Sequence, residues 1–167
     1  MEISYRLATI ADWESLSIFR NKYSLAPENA DRKHFQQDFV ENENRNRGPL
    51  FVALDTRKIV GYGRCGYFDP MEKQPIYGLL EGLPQGFYLK GVLTDESVRG
   101  YGVGKHLTLL RNDWVKEHAD RIYCILQNTN IPSLKMHEAL GYRVIQSNLQ
   151  YQSVQGDTSG LLLKMQL

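Results

Sequence analysis

Apolar and polar positions alternate over Ile3–Leu7, which predicts a strand. Thr9 and Asp12 then offer capping chemistry to a helix over Asp12–Tyr23, whose Trp13, Leu16 and Phe19 fall at helical spacing. A second helix is expected from Pro27 to about Asn44, with Phe35, Phe39 and Val40 on one side, followed by a polar loop over Asn42–Pro49. Leu50–Leu54 and Ile59–Phe68 read as a hairpin turning at Asp55–Lys58. Gly61, Gly63 and Gly66 interrupt its second strand and signal bulges or a close backbone approach. Asp69–Gln85, with three prolines, reads as an irregular loop.

Gly86–Ser97 predicts a strand and Gly104–Ala119 a helix, on which Val103, Leu107, Leu110 and Trp114 repeat as one apolar stripe. Arg121–Leu126 is continuously apolar, as in the middle of a sheet. Pro132–Gly141 is a short helix with Pro at its start and Gly just past its end. A strand begins at Tyr142–Gln146, and a turn over Gly156–Gly160 leads into a last strand, Leu161–Met165. The order β-α-α-β-β-β-α-β-α-β-β requires a parallel pair across the helix that follows Gly104, with antiparallel hairpins elsewhere. The expectation is a mixed α/β fold, helices on both faces of one sheet, in one domain over residues 1–167.

Composition narrows the function. Twenty Lys and Arg balance nineteen Asp and Glu, so nothing favours nucleic acid or an anionic membrane as partner. No apolar run approaches the ~18 residues that span a bilayer, and the first residues do not read as a signal peptide. Cys65 and Cys124 sit in apolar segments and read as reduced, buried thiols, which suits a cytoplasmic protein.

The chemistry concentrates at Val98–His106, "VRGYGVGKH", between a predicted strand and a predicted helix. Backbone N–H groups of such a turn converge, and the helix start adds about half a positive charge, a combination that holds phosphate. Glycine permits positive φ and removes the Cβ that would hold an anion off the amides. A Walker A loop is excluded by spacing and by His106 after Lys105. The dinucleotide fingerprint fails because Lys105 stands at its third glycine.

Arg99-Gly100-Tyr101-Gly102-Val103-Gly104 resembles the pyrophosphate loop of the GNAT N-acetyltransferase superfamily, and Asn130–Tyr142, "NIPSLKMHEALGY", resembles its second signature at the fitting distance. Within it, "LPQGFYLKGV" and "MHEALGY" are similar to small-molecule acetyltransferases of the phosphinothricin and methionine-sulfoximine type. The resemblance implies a mostly antiparallel mixed sheet with a splayed parallel central pair. It also implies acetyl-CoA as cofactor and transfer of acetyl to a primary amine of a small molecule by direct attack. Gly100, Tyr101, Gly102, Val103, Gly104 and Lys105, with Arg99, would hold the pyrophosphate. Val92, Leu93 and Thr94 would pair with the pantetheine amides. Asn130 and Ser133 would stand near the pantetheine arm, or Asn130 is a helix cap.

Family members often place a Tyr proton donor where this chain has His137. His137 is therefore either the proton donor to the leaving thiolate or a packed histidine satisfied by a carbonyl. Gly86–Leu93 holds no acid, which leaves the loop acids Glu81, Glu72 and Asp69, a water chain, or Tyr88 as candidate base. Tyr62, Tyr67, Phe68, Phe87 and Tyr88 form either an acceptor-side wall or sheet core. A non-catalytic acyl-CoA-binding module, a different acyl chain and a protein amine are the alternatives. Many relatives dimerise, so a homodimer is compatible with the resemblance.

Overall fold

Seven strands and three α-helices form among the described residues, which are 2–23, 47–72, 82–153 and 156–167, with backbone alone at 151–153 and 156–158. The structure is a computed structural model. In chain order the elements are β1 (Ile3–Leu7), α1 (Trp13–Asn21), β2 (Leu50–Asp55), β3 (Lys58–Phe68), β4 (Gly86–Thr94), α2 (Val103–Lys116), β5 (Arg121–Gln127), α3 (Ile131–Ala139), β6 (Arg143–Ser153) and β7 (Gly156–Gln166). The expected helix from Pro27 and the candidate base Glu81 lie outside the described residues. Strand order is β1-β2-β3-β4-β5-β7-β6; β4 and β5 run parallel, and β1–β2, β2–β3, β5–β7 and β7–β6 antiparallel. This is the mixed, mostly antiparallel sheet expected.

The described fold is made of two compact units. The first comprises Met1–Gly66 and Lys90–Arg111. Its core gathers Leu16 and Phe19 of α1 with Leu50, Val52 and Leu54 of β2 and Ile59 of β3, and Leu93 packs against them. At the entry to α1, Asp12 accepts from the Thr9 N–H (2.8 Å) and takes both Arg6 guanidinium nitrogens (2.7 and 2.8 Å). The residues expected to open the helix directly instead form a 3-10 turn, Ile10–Asp12, before it.

The glycines of β3 give way to side chains. A Cβ on Gly61 would stand 3.3 Å from Val103 and 3.4 Å from Leu107, and one on Gly63 would stand 2.9 Å from Arg111 Nε. The buried face of α2 is accordingly not the apolar stripe expected. Val103, Leu107 and Val115 are buried together with Thr108, Arg111 and Asn112, while Leu110 and Trp114 are only half-buried. The recess offered by bare backbone admits a polar side chain that local periodicity assigns to the surface.

The second unit comprises Tyr67–Leu89 and Asn112–Leu167. Its central strand β5 is flanked by the start of β4, paired parallel from Phe87↔Ile122 to Leu89↔Cys124, and by β7. Burial on both sides explains its unbroken apolar run. Phe68, Tyr88, Tyr123, Ile125, Leu149 and Leu162 cluster around it. The Gly156–Gly160 segment, expected as a turn, is the first part of β7. It pairs with β6 from Ser153↔Gly156 to Leu149↔Gly160. Cross-strand pairing outweighs the turn propensity of Gly-Asp-Thr-Ser-Gly. Two register shifts and a left-handed Asn148 (φ +59°) absorb the irregularity in β6.

Candidate functional site

The glycine stretch joins β4 to α2 within the first unit. Strand β4 stops at Thr94, three residues short of the expected end, because Asp95 turns inward as a cap. Its carboxylate accepts from the Ser97 N–H (3.0 Å) and hydroxyl (2.8 Å) and starts the 3-10 turn Glu96–Val98. It also takes Lys22 Nζ (2.9 Å) and the Tyr23 hydroxyl (2.8 Å), tying the end of α1 to the base of the loop. The Ser97 N–H first, then Lys22 and Tyr23, hold this carboxyl well below the usual carboxylate range. The sequence marks Asp95 as a turn residue; its partners more than seventy positions away carry no local signal.

Val98 and Val103 are buried and anchor the two ends of the loop, leaving Arg99 to Gly102 exposed between them. Gly100 and Gly102 adopt φ of +83° and +76°, which glycine enters at no steric cost. A Cβ at either would meet no protein atom within 4 Å and would project into the open face of the turn. The first α2 amide in a helical bond is that of His106, donating to the Gly102 carbonyl (2.9 Å). The N–H groups of Gly102, Val103, Gly104 and Lys105 precede it, and among the described residues they have no acceptor. They are the orphan donors of a helix start, the positive end of its dipole. Arg99 and Lys105 are exposed at the two sides, Arg99 in a loose 3.4 Å pair with Glu96 that is itself exposed. An exposed pair of this kind holds its partners weakly, so the guanidinium is available to an anion. The turn thus brings together backbone donors, two open glycines and two exposed cations, groups whose chemistry suits an anion.

Val92, Leu93 and Thr94 are half-buried on β4 just before the loop. The bend ahead of them is at Gly91 (φ +79°), whose carbonyl accepts from Arg111 Nη1 (2.9 Å). Arg111 is a buried partner of this strand that the sequence pattern does not mark. The signal available was a charged residue four positions after Leu107 on a helix whose facing strand carries three glycines.

The remaining candidates lie in the second unit. Asn130 caps α3 by accepting from the Ser133 N–H (3.3 Å), with Pro132 in the first turn and Gly141 (φ +99°) just beyond the end. His137 is buried, its Nδ1 2.8 Å from the Ser133 carbonyl and 3.4 Å from the Ser133 hydroxyl. A carbonyl only accepts, so Nδ1 carries a hydrogen. In the neutral ring Nε2 is then an acceptor, facing the Cys124 thiol at 3.6 Å. Tyr88 is fully buried, stacked on Tyr123, and its hydroxyl donates to the Pro84 carbonyl (2.7 Å); burial pushes its pKa upward. Both side chains are engaged in packing and hydrogen bonding within this unit. Phe68 and Phe87 are likewise buried, with Tyr67 edge-on to Phe87.

Cys65 and Cys124 are buried thiols, the Cys65 thiol pushed up to about 12 by burial. Among the described residues no group of His, Cys, Asp and Glu could hold a metal ion, and no helix is long and apolar enough to cross a membrane.

The sheet is mixed, with one parallel pair, and opens after its fourth strand into a glycine loop at a helix start. Residues 12–142 match the family model for the acetyltransferase (GNAT) family, and the chain belongs to that family. Membership of this family gives acetyl-CoA as the cofactor. Among solved structures, the ribosomal-protein-alanine N-acetyltransferase from Brucella melitensis is 21% identical with a TM-score of 0.73, covering 98% of this chain and 99% of that one. The Salmonella typhimurium protein yncA, solved with its cofactor acetyl-CoA, is 17% identical with a TM-score of 0.74, covering 99% and 94%. The NatC complex bound to Gag peptide and CoA gives 18% identity and a TM-score of 0.70, covering 100% and 99%. At these identities the likeness is one of fold. A search of curated protein sequences finds no match.

Proposed function

We propose that the protein transfers the acetyl group of acetyl-CoA to a primary amine of a small molecule, by direct attack in a ternary complex. The observation that carries the proposal is the cradle at the start of α2, with its orphan amides flanked by Arg99 and Lys105. On this reading Gly100–Lys105 hold the pyrophosphate, and Val92–Thr94 meet the pantetheine amides as an added strand would. The assignment of Asn130 and Ser133 to the pantetheine arm rests on the family resemblance. So does the small-molecule acceptor, through "LPQGFYLKGV" and "MHEALGY".

Acetyl-CoA supplies the activated acyl carbon: a nitrogen–carbon bond forms, the carbon–sulfur bond breaks, and the amine proton passes to the departing thiolate or to solvent. The chain's part is to bind, orient and exclude water. An amine that reaches the site neutral needs no base from the protein. The Nδ1 hydrogen of His137 is committed to Ser133, so proton donation by this residue requires a second proton on Nε2.

A second reading, transfer to the α-amine of a protein, is favoured by one observation, the fold likeness to an enzyme named for ribosomal-protein alanine. A free-thiol assay with acetyl-CoA separates the readings when run against a panel of small amines and peptides beginning with alanine. Thiol release with small amines supports the proposal, and release with peptides alone replaces it with the second reading. Binding of acetyl-CoA without any turnover would make the protein a non-catalytic acyl-CoA module.

A further inference from the structure

The guanidinium of Arg111 is almost fully buried, 1% exposed, in the interior of the first unit. Removing such a cation from water is costly unless its hydrogen bonds are made. Here they go to backbone at separate places in the fold. Nε donates to the Leu107 carbonyl (3.0 Å), and Nη1 donates to the carbonyls of Arg64 on β3 (3.1 Å) and Gly91 on β4 (2.9 Å). Nη2 donates to the Thr108 hydroxyl (2.9 Å), which in turn donates to the Gly104 carbonyl (2.9 Å).

The consequence is a short chain of bonds between two backbone stretches: Gly91 carbonyl, Arg111, Thr108, Gly104 carbonyl. One end is the positive-φ residue that leads into Val92–Thr94, and the other is in the first turn of α2, next to the glycine loop. Gly63 makes the arrangement sterically possible, since a Cβ there would stand 2.9 Å from Nε and 3.1 Å from Cζ. Gly91 makes it conformationally possible, since φ +79° turns its carbonyl out of regular strand geometry. An apolar residue at position 111 would fill the same space more cheaply but would leave the Gly91 carbonyl untied to Thr108 and the α2 start. A buried arginine with this bond pattern is a spacer between β4 and the α2 start.

We propose that Arg111 is a positioning residue of the cofactor site, fixing β4 at Gly91 relative to the glycine loop and so setting where the pantetheine arm meets Val92–Thr94. The inference rests on the reading of those two stretches as the cofactor's contacts. It concerns the arm and not the pyrophosphate, because the loop amides and Arg99 do not depend on the Gly91 carbonyl.

The test compares two ligands by calorimetric titration: coenzyme A, and 3′-phospho-ADP, the same molecule without its pantetheine arm. In Arg111→Met the affinity for coenzyme A is expected to fall about tenfold or more, while that for 3′-phospho-ADP changes less than about twofold. Arg111→Lys, which retains a donor able to reach one carbonyl, is expected to recover part of the loss. A general loosening of the fold would weaken both ligands alike. Equal loss for both, or no loss for either, overturns the inference while leaving the cofactor reading intact. Failure of the unaltered protein to bind either ligand overturns the cofactor reading itself. Should Arg111→Met be recovered unfolded, Arg111→Lys and Thr108→Val decide by the same ratio. Each is expected to lose affinity for coenzyme A selectively, and a uniform loss or none overturns the inference.

Discussion

Arg111 lies against the bare Cα of Gly63, so closely that a methyl group on that carbon would stand 2.9 Å from its Nε. The helix residue and the strand residue are fitted to each other, and neither choice is explained by its own element. Gly63→Ala is therefore expected to push a pinned, buried guanidinium and to lower the unfolding free energy by about 1–3 kcal/mol in urea denaturation. Gly66→Ala meets the far end of the flexible, half-buried Lys90 side chain and is expected to cost less. An equal or reversed order would mean that Arg111 is not held where it stands.

Asp95 binds the base of the loop to the end of α1. Asp95→Ala removes the acceptor for Ser97, Lys22 and Tyr23 together. The expected outcome is a stability loss of about 1 kcal/mol, the usual size for a lost cap, with weaker coenzyme A binding because the loop loses its anchor. Unchanged binding by calorimetry would show that Val98 and Val103 suffice to hold the loop.

Asp12 gives a pH dependence with a definite sign. Hydrogen bonds from Arg6, with a smaller contribution from the Thr9 N–H, lower its pKa to about 2 from an ordinary value of ~3.9. A depressed pKa means that the unfolded chain takes up the proton first. The stabilisation is complete above about pH 4 and is lost as the pH falls toward 2. Because the pair is partly exposed, Asp12→Asn is expected to cost only about 1 kcal/mol at pH 7. Urea midpoints of the two proteins should converge as the pH is lowered to 3 and below; a constant gap would contradict the assignment.

Tyr88 and His137 share a prediction, since each has its polar atoms engaged in the second unit. Tyr88→Phe leaves the Pro84 carbonyl without its hydroxyl donor, and His137→Phe removes the bond to the Ser133 carbonyl. Each is expected to lower stability by about 1 kcal/mol and to leave kcat within about threefold. A fall in kcat of about a hundredfold in a folded variant, the size typical of general acid–base groups, would assign that residue the proton-transfer role.

What could be read from the sequence follows the reach of each signal. The alternation of β1, the unbroken apolar run of β5 and the Asn130–Pro132–Gly141 punctuation of α3 are local and translate directly into structure. The glycine loop is local too, because positive φ at Gly100 and Gly102 is a demand of the turn itself. The glycines of β3 announce a close approach, but what approaches comes from Val103, Leu107 and Arg111, some forty to fifty positions on. For the same reason the buried face of α2 escaped its periodicity: Thr108, Arg111 and Asn112 are inside because of what faces them. The length of β6 and β7 escaped because cross-strand pairing decides it, and the cap at Asp95 because Lys22 and Tyr23 are remote.

The central claim is that the amides after Arg99 grip the diphosphate of coenzyme A. It is tested most directly by titrating coenzyme A into the unaltered protein and into Gly102→Val by isothermal calorimetry. Valine disfavours φ +76° and places a side chain on the open face of the turn. The expected result is saturable one-to-one binding to the unaltered protein and a loss of at least about tenfold in the variant. No binding to the unaltered protein, or equal binding to both, would contradict the account.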